Sequence, residues 1–175
     1  MIRPRSAGRA FRRPGGRWHR RLMALSPSRL GALVLRNRRA ARAPVALYRR
    51  GLGWLLGSRM LMLEHVGRRS GEARYAVLEV IGRPAPGRIL IASGFGHGSQ
   101  WYRNLEAEPR CHVSISRLRR RPARARLLPA DESEEALARY AREHPASWDF
   151  LRRVIEEDGT RDPRSIPVVE LHVEN

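Results

Sequence analysis

The chain has 175 residues and not one lysine: all 35 of its basic residues are arginine. The two side chains are not interchangeable, yet no single mechanism calls for arginine at every site. A GC-rich coding bias accounts for the replacement, so no individual arginine is marked out merely by its type. There is one cysteine, Cys111. It excludes an intramolecular disulfide and a thiolate-rich metal site, and within "RCHVSIS" it reads as a buried strand residue. No run approaches the roughly 18 apolar residues of a membrane-spanning helix. Acidic residues are absent from residues 1–63, which hold 16 arginines; residues 64–175 carry the other 19 against all 17 Asp and Glu. The net charge of +18 therefore belongs to the N-terminal third. No nucleic-acid-binding module follows it, so a sequence-specific nucleic-acid partner is not expected.

The common catalytic constellations are missing as well. There is no GxSxG elbow, no HExxH and no P-loop. The six histidines fall in unrelated segments, without a metal-like partner at i+3 or i+4. The glycines of "GFGHG" do not fit a dinucleotide fingerprint.

What is present is a globular composition, 42% hydrophobic, in a length that suits one domain. Residues 1–21 are rich in Arg, Gly and Pro without apolar period and read as disordered, with Met23 as an alternative start. "RRLMAL" at 20–25 resembles a twin-arginine signal, but Pro27 and Arg29 interrupt the apolar run and no cleavage site follows. The expectation is a cytoplasmic protein, with residues 1–43 a basic segment able to rest on an anionic membrane at the inner face of the cell. Residues 44–175 form the folded domain.

From Pro44, "PVALYRRGLGWLLGSR" sets Val45, Tyr48, Leu52, Leu55 and Leu56 at helical spacing, with Gly51, Gly53 and Gly57 weakening the helix. Two readings follow: a helix packed on the domain, or a basic amphipathic segment on an anionic surface. "RMLMLEHV", "ARYAVLEVIG" and "RILIAS" then read as an antiparallel meander. "SQWYRNLEAEP" reads as a helix with Ser99 as cap. "RCHVSIS" and "RPARARLLP" form a hairpin, "DESEEALARYAREHP" a helix capped by Asp131, "SWDFLRRVIEED" another helix, and "SIPVVELHVE" a closing strand. About six strands with late helices predict an α+β fold built on a small antiparallel barrel.

Two turns suit an anion. "GRRSG" can offer Arg68, Arg69, the Ser70 hydroxyl and turn amides to a phosphate. "SGFG" lets a ligand approach the backbone at Gly94 and Gly96, just before a helix N-terminus. Trp101 and Tyr102 add flat surfaces. On "VGRRSG", "IASGFG", "QWYRNLEAEP" and "IPVVELHV" the chain, from about Pro44 to Val173, resembles the deazaflavin-dependent nitroreductase and quinone reductase family.

That resemblance implies a split β-barrel related to the flavin-binding barrels. It also implies coenzyme F-420 as hydride donor and a quinone, nitro or other conjugated small molecule as acceptor. Arg68, Arg69, Ser70 and Gly71 match the turn that takes the cofactor's phosphate and anionic tail. Ser93, Gly94, Phe95 and Gly96 match the loop against the coenzyme. Trp101 and Asn104 match the helix that closes the pocket, and Val77 and Leu78 the strand under the ring. No catalytic acid or base and no metal are implied, because the cofactor carries the hydride. Relatives carry tyrosines in the late helices; here Trp148 and Phe150 are the candidate substrate walls, with core packing as the alternative. Glu79 stands where relatives often have an aromatic, and pairs with an arginine or touches substrate. Rival readings are a barrel for ordinary flavin or haem, and a basic protein binding nucleic acid or membrane without catalysis. The oligomeric state is open.

Overall fold

The computed structural model describes residues 42–149, 152 and 166–174; the N-terminal segment up to residue 41 and Phe150 lie outside them. Helix α1 (Arg42–Arg49) and a 3-10 turn (Gly53–Leu56) precede β1 (Met60–Val66), β2 (Ala73–Gly82) and β3 (Arg88–Ala92). A second 3-10 turn (Gly96–Gly98) leads into α2 (Gln100–Ala107), followed by β4 (Arg110–Ile115), β5 (Leu118–Leu127), α3 (Ala130–Glu143) and β6 (Val168–Val173). The strands close into a barrel in the order β1-β2-β3-β6-β5-β4, every pair antiparallel. The predicted meander is β1–β2–β3, the predicted hairpin is β4–β5, and β6 closes the barrel between β3 and β5.

The alternation read in the sequence explains the closure. Leu61 and Leu63 of β1, Val80 of β2, Ile89 and Ile91 of β3, Val113 and Ile115 of β4 and Leu171 of β6 meet in one interior cluster, with Tyr102 and Leu105 of α2. Helix α2 thus buries its apolar side across one end of the barrel. Burying a Leu or Ile side chain contributes about 1.5–3 kcal/mol, so this shared core fixes α2 against the strands. A second cluster joins Ile81, Leu90 and Val168 to Ala136, Leu137 and Tyr140 of α3 on the outer wall.

Three local expectations are corrected. The helix read across 44–59 stops at Arg49, because Gly51 takes φ 77° and turns the chain into the short 3-10 segment. Tyr48 is buried there, whereas Leu52 and Leu55 stay exposed. Asp131 does not cap α3: the helix begins at Ala130 with Pro129 at the cap, placing Asp131 and Glu132 in the first turn beside its positive end. Ser99 stands at the α2 cap without capping; its hydroxyl meets that of Ser93 at 2.6 Å instead.

Candidate functional site

The β1–β2 turn is built by its own backbone. Amides of Ser70 and Gly71 donate to the Gly67 carbonyl at 3.1 and 2.8 Å, and the Gly67 amide donates to the Glu72 carbonyl at 2.8 Å. Gly71 sits at φ 69°, a conformation that L side chains rarely adopt, which is why glycine ends this motif. The Arg68 amide donates to Oδ1 of Asn104 at 3.2 Å. Amides of Arg68, Ser70 and Gly71 are thereby engaged within the protein.

A cleft of about 480 Å³ lies at the α2 end of the barrel. Its walls include Arg68, Arg69 and Ser70 of the turn, Arg74, Tyr75 and Ala76 of β2, His65 of β1, and Gln100, Trp101 and Asn104 of α2. The structure therefore brings together five residues singled out in the sequence: Arg68, Arg69, Ser70, Trp101 and Asn104. Arg68 is held in place: its guanidinium donates to Oε1 of Gln100 at 3.0 Å and to Oδ1 of Asn104 at 2.9 Å. Arg74 is tied to Glu72 at 2.9 Å and to the Ser70 hydroxyl at 3.4 Å. Arg69 has neither a hydrogen bond nor an ion pair among the described residues, and its exposed guanidinium stands at the lip of the cleft.

Asn104 is 5% exposed and organises the floor. Its oxygen takes both Arg68 donors, which leaves its amide N–H to donate to Nδ1 of His65 at 3.1 Å. His65 is itself buried, and burial holds its imidazole below the ordinary pKa, an effect reinforced by the Arg74 cation and opposed by a backbone hydrogen bond at Val66.

The other predicted residues lie apart from these walls. Gly71 faces a neighbouring groove with Cys111 and His112. Leu78 packs on the interior core, while Val77 pairs with Met62 in the β1–β2 ladder and is half-buried. In the loop before α2, Ser93 is 1% exposed and its hydroxyl donates to the Gly96 carbonyl at 2.8 Å. The Gly96 amide returns to the Ser93 carbonyl at 2.7 Å, with Gly96 at φ 61°. Ser93 and Gly96 thus shape the loop from within; Gly94 is half-buried and Phe95 exposed. Glu79 pairs with Arg59 at 2.8 Å and accepts the Tyr140 hydroxyl at 2.9 Å, the arginine pairing anticipated for it. Trp148 packs against the outer cluster of α3, and Phe150 lies outside the described residues.

Five wall residues were not singled out in the sequence: His65, Arg74, Tyr75, Ala76 and Gln100. One signal existed for His65. It continues the inward alternation of Leu61 and Leu63 on β1, and the register sets it opposite Arg74. Among the described residues no three His, Cys, Asp or Glu gather as a metal site, and no helix is long and apolar enough to cross a membrane.

The model of a family described as F420H(2)-dependent quinone reductase matches residues 40–169. A Mycobacterium tuberculosis protein, provisionally named as an F420H(2)-dependent quinone reductase, is 38% identical over 86 residues, 48% of this chain and 71% of that protein. Among solved structures, the F420-H2 dependent reductase FDR-A is 23% identical, covering 66% of this chain and 94% of its own, with a TM-score of 0.46. The haem storage protein HutZ of Vibrio cholerae is 11% identical, covering 77% and 91%, also with a TM-score of 0.46.

Proposed function

Because this chain belongs to the F420H(2)-dependent quinone reductase family, we propose that the cleft between the β1–β2 turn and α2 is where it holds F420 and works as an oxidoreductase on a quinone. One observation carries the placement. Arg69 is a cation without a carboxylate partner among the described residues, at the mouth of a cleft whose other two arginines are already oriented by Asn104, Gln100, Ser70 and Glu72. An anionic ligand supplies the missing partner.

The residues fit the group. The cleft volume lies within the roughly 300–1,000 Å³ usual for cofactor and ligand sites. Trp101 gives it a flat apolar wall and the arginines a cationic rim. Bound there, the reduced deazaflavin supplies a hydride. The chain supplies binding and orientation: Arg69 and Arg74 hold negative charge, Arg68 is fixed by Asn104, and Trp101 excludes water from one side. No side chain has to move a proton for hydride delivery, which accords with the absence of a catalytic motif. Ser93, Gly94, Phe95 and Gly96, with Val77 and Leu78, are assigned to the cofactor's ring by the family resemblance and stand outside the walls of the cleft itself. Glu79 and Trp148, with Phe150 from the sequence, are the residues proposed to meet the acceptor, and nitro compounds and other conjugated planar molecules are proposed acceptors besides quinones. Residues 44–175 carry the chemistry, while the arginines of 1–43 serve location at an anionic surface on the cytoplasmic side.

The test is oxidation of reduced F420 by a water-soluble quinone, followed by the returning absorbance of the oxidised deazaflavin. Protein-dependent turnover is expected. A rate equal to that without protein, across a panel of quinone and nitro acceptors, would remove the assignment.

A further inference from the structure

The floor of the cleft holds a polar chain whose direction is set at one point. Oδ1 of Asn104 accepts both the backbone amide of Arg68 at 3.2 Å and its guanidinium at 2.9 Å. Two donors on one side require the oxygen there. The amide nitrogen is thereby turned to the other side, where its partner is Nδ1 of His65 at 3.1 Å. A side-chain amide has two orientations, half a turn apart. Reversed, it would set its own N–H groups against both Arg68 donors. The orientation that serves Arg68 therefore needs an acceptor at residue 65. The neutral imidazole with its proton on Nε2 is one; the imidazolium is not.

Strand β1 presents that acceptor in a fixed place. Leu61 and Leu63 are fully buried, and the register sets His65 opposite Arg74 of β2 and Cys111 of β4. His65 and Asn104 are both buried, and among the described residues no buried side-chain nitrogen or oxygen lacks a partner. Burial leaves water little room to replace the bond between them. The surroundings favour the neutral ring. On the cleft side stand the cations Arg68, Arg69 and Arg74. In the adjoining groove that His65 also lines, Glu64 is held by Arg120 at 2.8 Å, with His112 at 3.9 Å, and Glu108 is held by Arg110 at 2.9 Å. The remaining carboxylate of that groove, Glu174, is exposed. Burial and the Arg74 cation hold the ring below its ordinary pKa.

We propose that His65 is a positioning residue of the cofactor site: by accepting from Asn104 it aims the amide oxygen that holds Arg68, and through Arg68 it sets the cationic face offered to the anionic part of F420. The role rests on the assignment of this cleft to F420. Arg68 has three of these holds: its amide and its guanidinium on Asn104, and its guanidinium on Oε1 of Gln100 at 3.0 Å. When residue 65 no longer accepts, through substitution or protonation, the Asn104 amide is free to turn and two of the three are lost. Affinity for the cofactor then falls although no cation has been removed from the cleft.

The experiment compares full-length wild type with His65→Asn, whose Oδ1 accepts as Nδ1 does, and with His65→Leu, which has no acceptor. Two quantities are measured at pH 7.5, below the Tm of all three proteins. One is the Kd for F420 by fluorescence titration. The other is the protection of the Arg68 backbone amide against hydrogen exchange, read by NMR on the ligand-free protein. His65→Asn should keep both. His65→Leu should bind F420 about tenfold more weakly and expose the Arg68 amide to exchange. As pH is lowered through the titration of the His65 ring, followed by its own NMR signal, wild type should move toward His65→Leu while His65→Asn holds the Arg68 amide. A His65→Leu protein with wild-type Kd and wild-type Arg68 protection would overturn the proposal, whatever its Tm, and leave His65 a packing residue. So would His65→Asn behaving like His65→Leu, or a ratio of wild-type to His65→Asn affinity that stays constant while the ring takes its proton. If F420 binds none of the three, the assignment of the cleft fails, and Arg68 protection in the ligand-free protein still decides whether His65 orients Asn104.

Discussion

Asn104 donates its side-chain N–H to Nδ1 of His65 across 3.1 Å, and this one bond links the barrel interior to the cationic turn. The Asn104 oxygen holds both the amide and the guanidinium of Arg68, so the asparagine fixes a histidine and an arginine at once. Asn104→Leu keeps the volume and removes every one of these bonds. The expected loss is roughly 1–3 kcal/mol of folding stability, the cost of leaving buried polar groups unpaired. Affinity for F420 should fall about tenfold. Chemical denaturation and fluorescence titration read the two effects separately.

His65 gives this region a pH dependence of definite sign. Its Nδ1 accepts from Asn104, so the proton of the neutral ring sits on Nε2, and a second proton would set two donors face to face. The groups facing it are Arg74 on β2, Cys111 on β4, and Asn104 and Arg68 at the cleft. None of them offers a carboxylate to favour the cation. Burial lowers the folded pKa below the ordinary 6.5. Below 6.5 the unfolded chain binds the proton more readily than the folded one. Stability is therefore full above that pH and declines as pH falls from 6.5 toward the lowered value. His65→Asn retains an acceptor without titrating. The Tm of wild type should fall relative to that of His65→Asn as pH is lowered from 7.5 to 5; a constant difference would contradict this.

Cys111 should behave as an inert thiol. Its sulfur is buried and donates to the Ala123 carbonyl at 3.4 Å, and burial pushes its pKa up to about 12. A thiol-directed disulfide reagent is expected to label the native protein orders of magnitude more slowly than the unfolded chain. Rapid labelling under native conditions would contradict the burial.

Sequence patterning made most of the barrel legible. Period-2 alternation marked the strands, and Gly, Pro and Arg clusters marked the turns, because both signals are local. The helix starts were misread for a physical reason: a hydroxyl near a helix N-terminus caps only if nothing binds it first. Ser99 is claimed by Ser93, six residues back. Within the cleft, Arg68, Arg69, Ser70, Trp101 and Asn104 were legible as motif residues. His65 and Arg74 were not, because their place depends on β1–β2 register and on Asn104, 39 residues from His65 along the chain. The turn amides looked available in the sequence, yet Gly67 takes those of Ser70 and Gly71 and Asn104 that of Arg68. Leu52 and Leu55 read as a helix face; the turn at Gly51 leaves both in solvent.

Arg69→Ala isolates the free cation of the cleft. Since Arg69 supports no other side chain among the described residues, the change should leave Tm unaltered. It should weaken F420 binding by roughly 1.5–3 kcal/mol, as for a charge-assisted hydrogen bond. If Arg69 meets the oligoglutamate tail, shortening that tail reduces the difference. Equal affinities in wild type and variant would assign the turn a structural role only.

The most direct measurement sets F420 against riboflavin phosphate on the full-length protein, titrating each by fluorescence at one salt concentration. Micromolar or tighter binding of F420, with riboflavin phosphate much weaker, is the predicted result, because a rim of arginines serves a ligand with several negative charges better than one with a single phosphate. Preferential binding of riboflavin phosphate would contradict the assignment of this cleft to the deazaflavin.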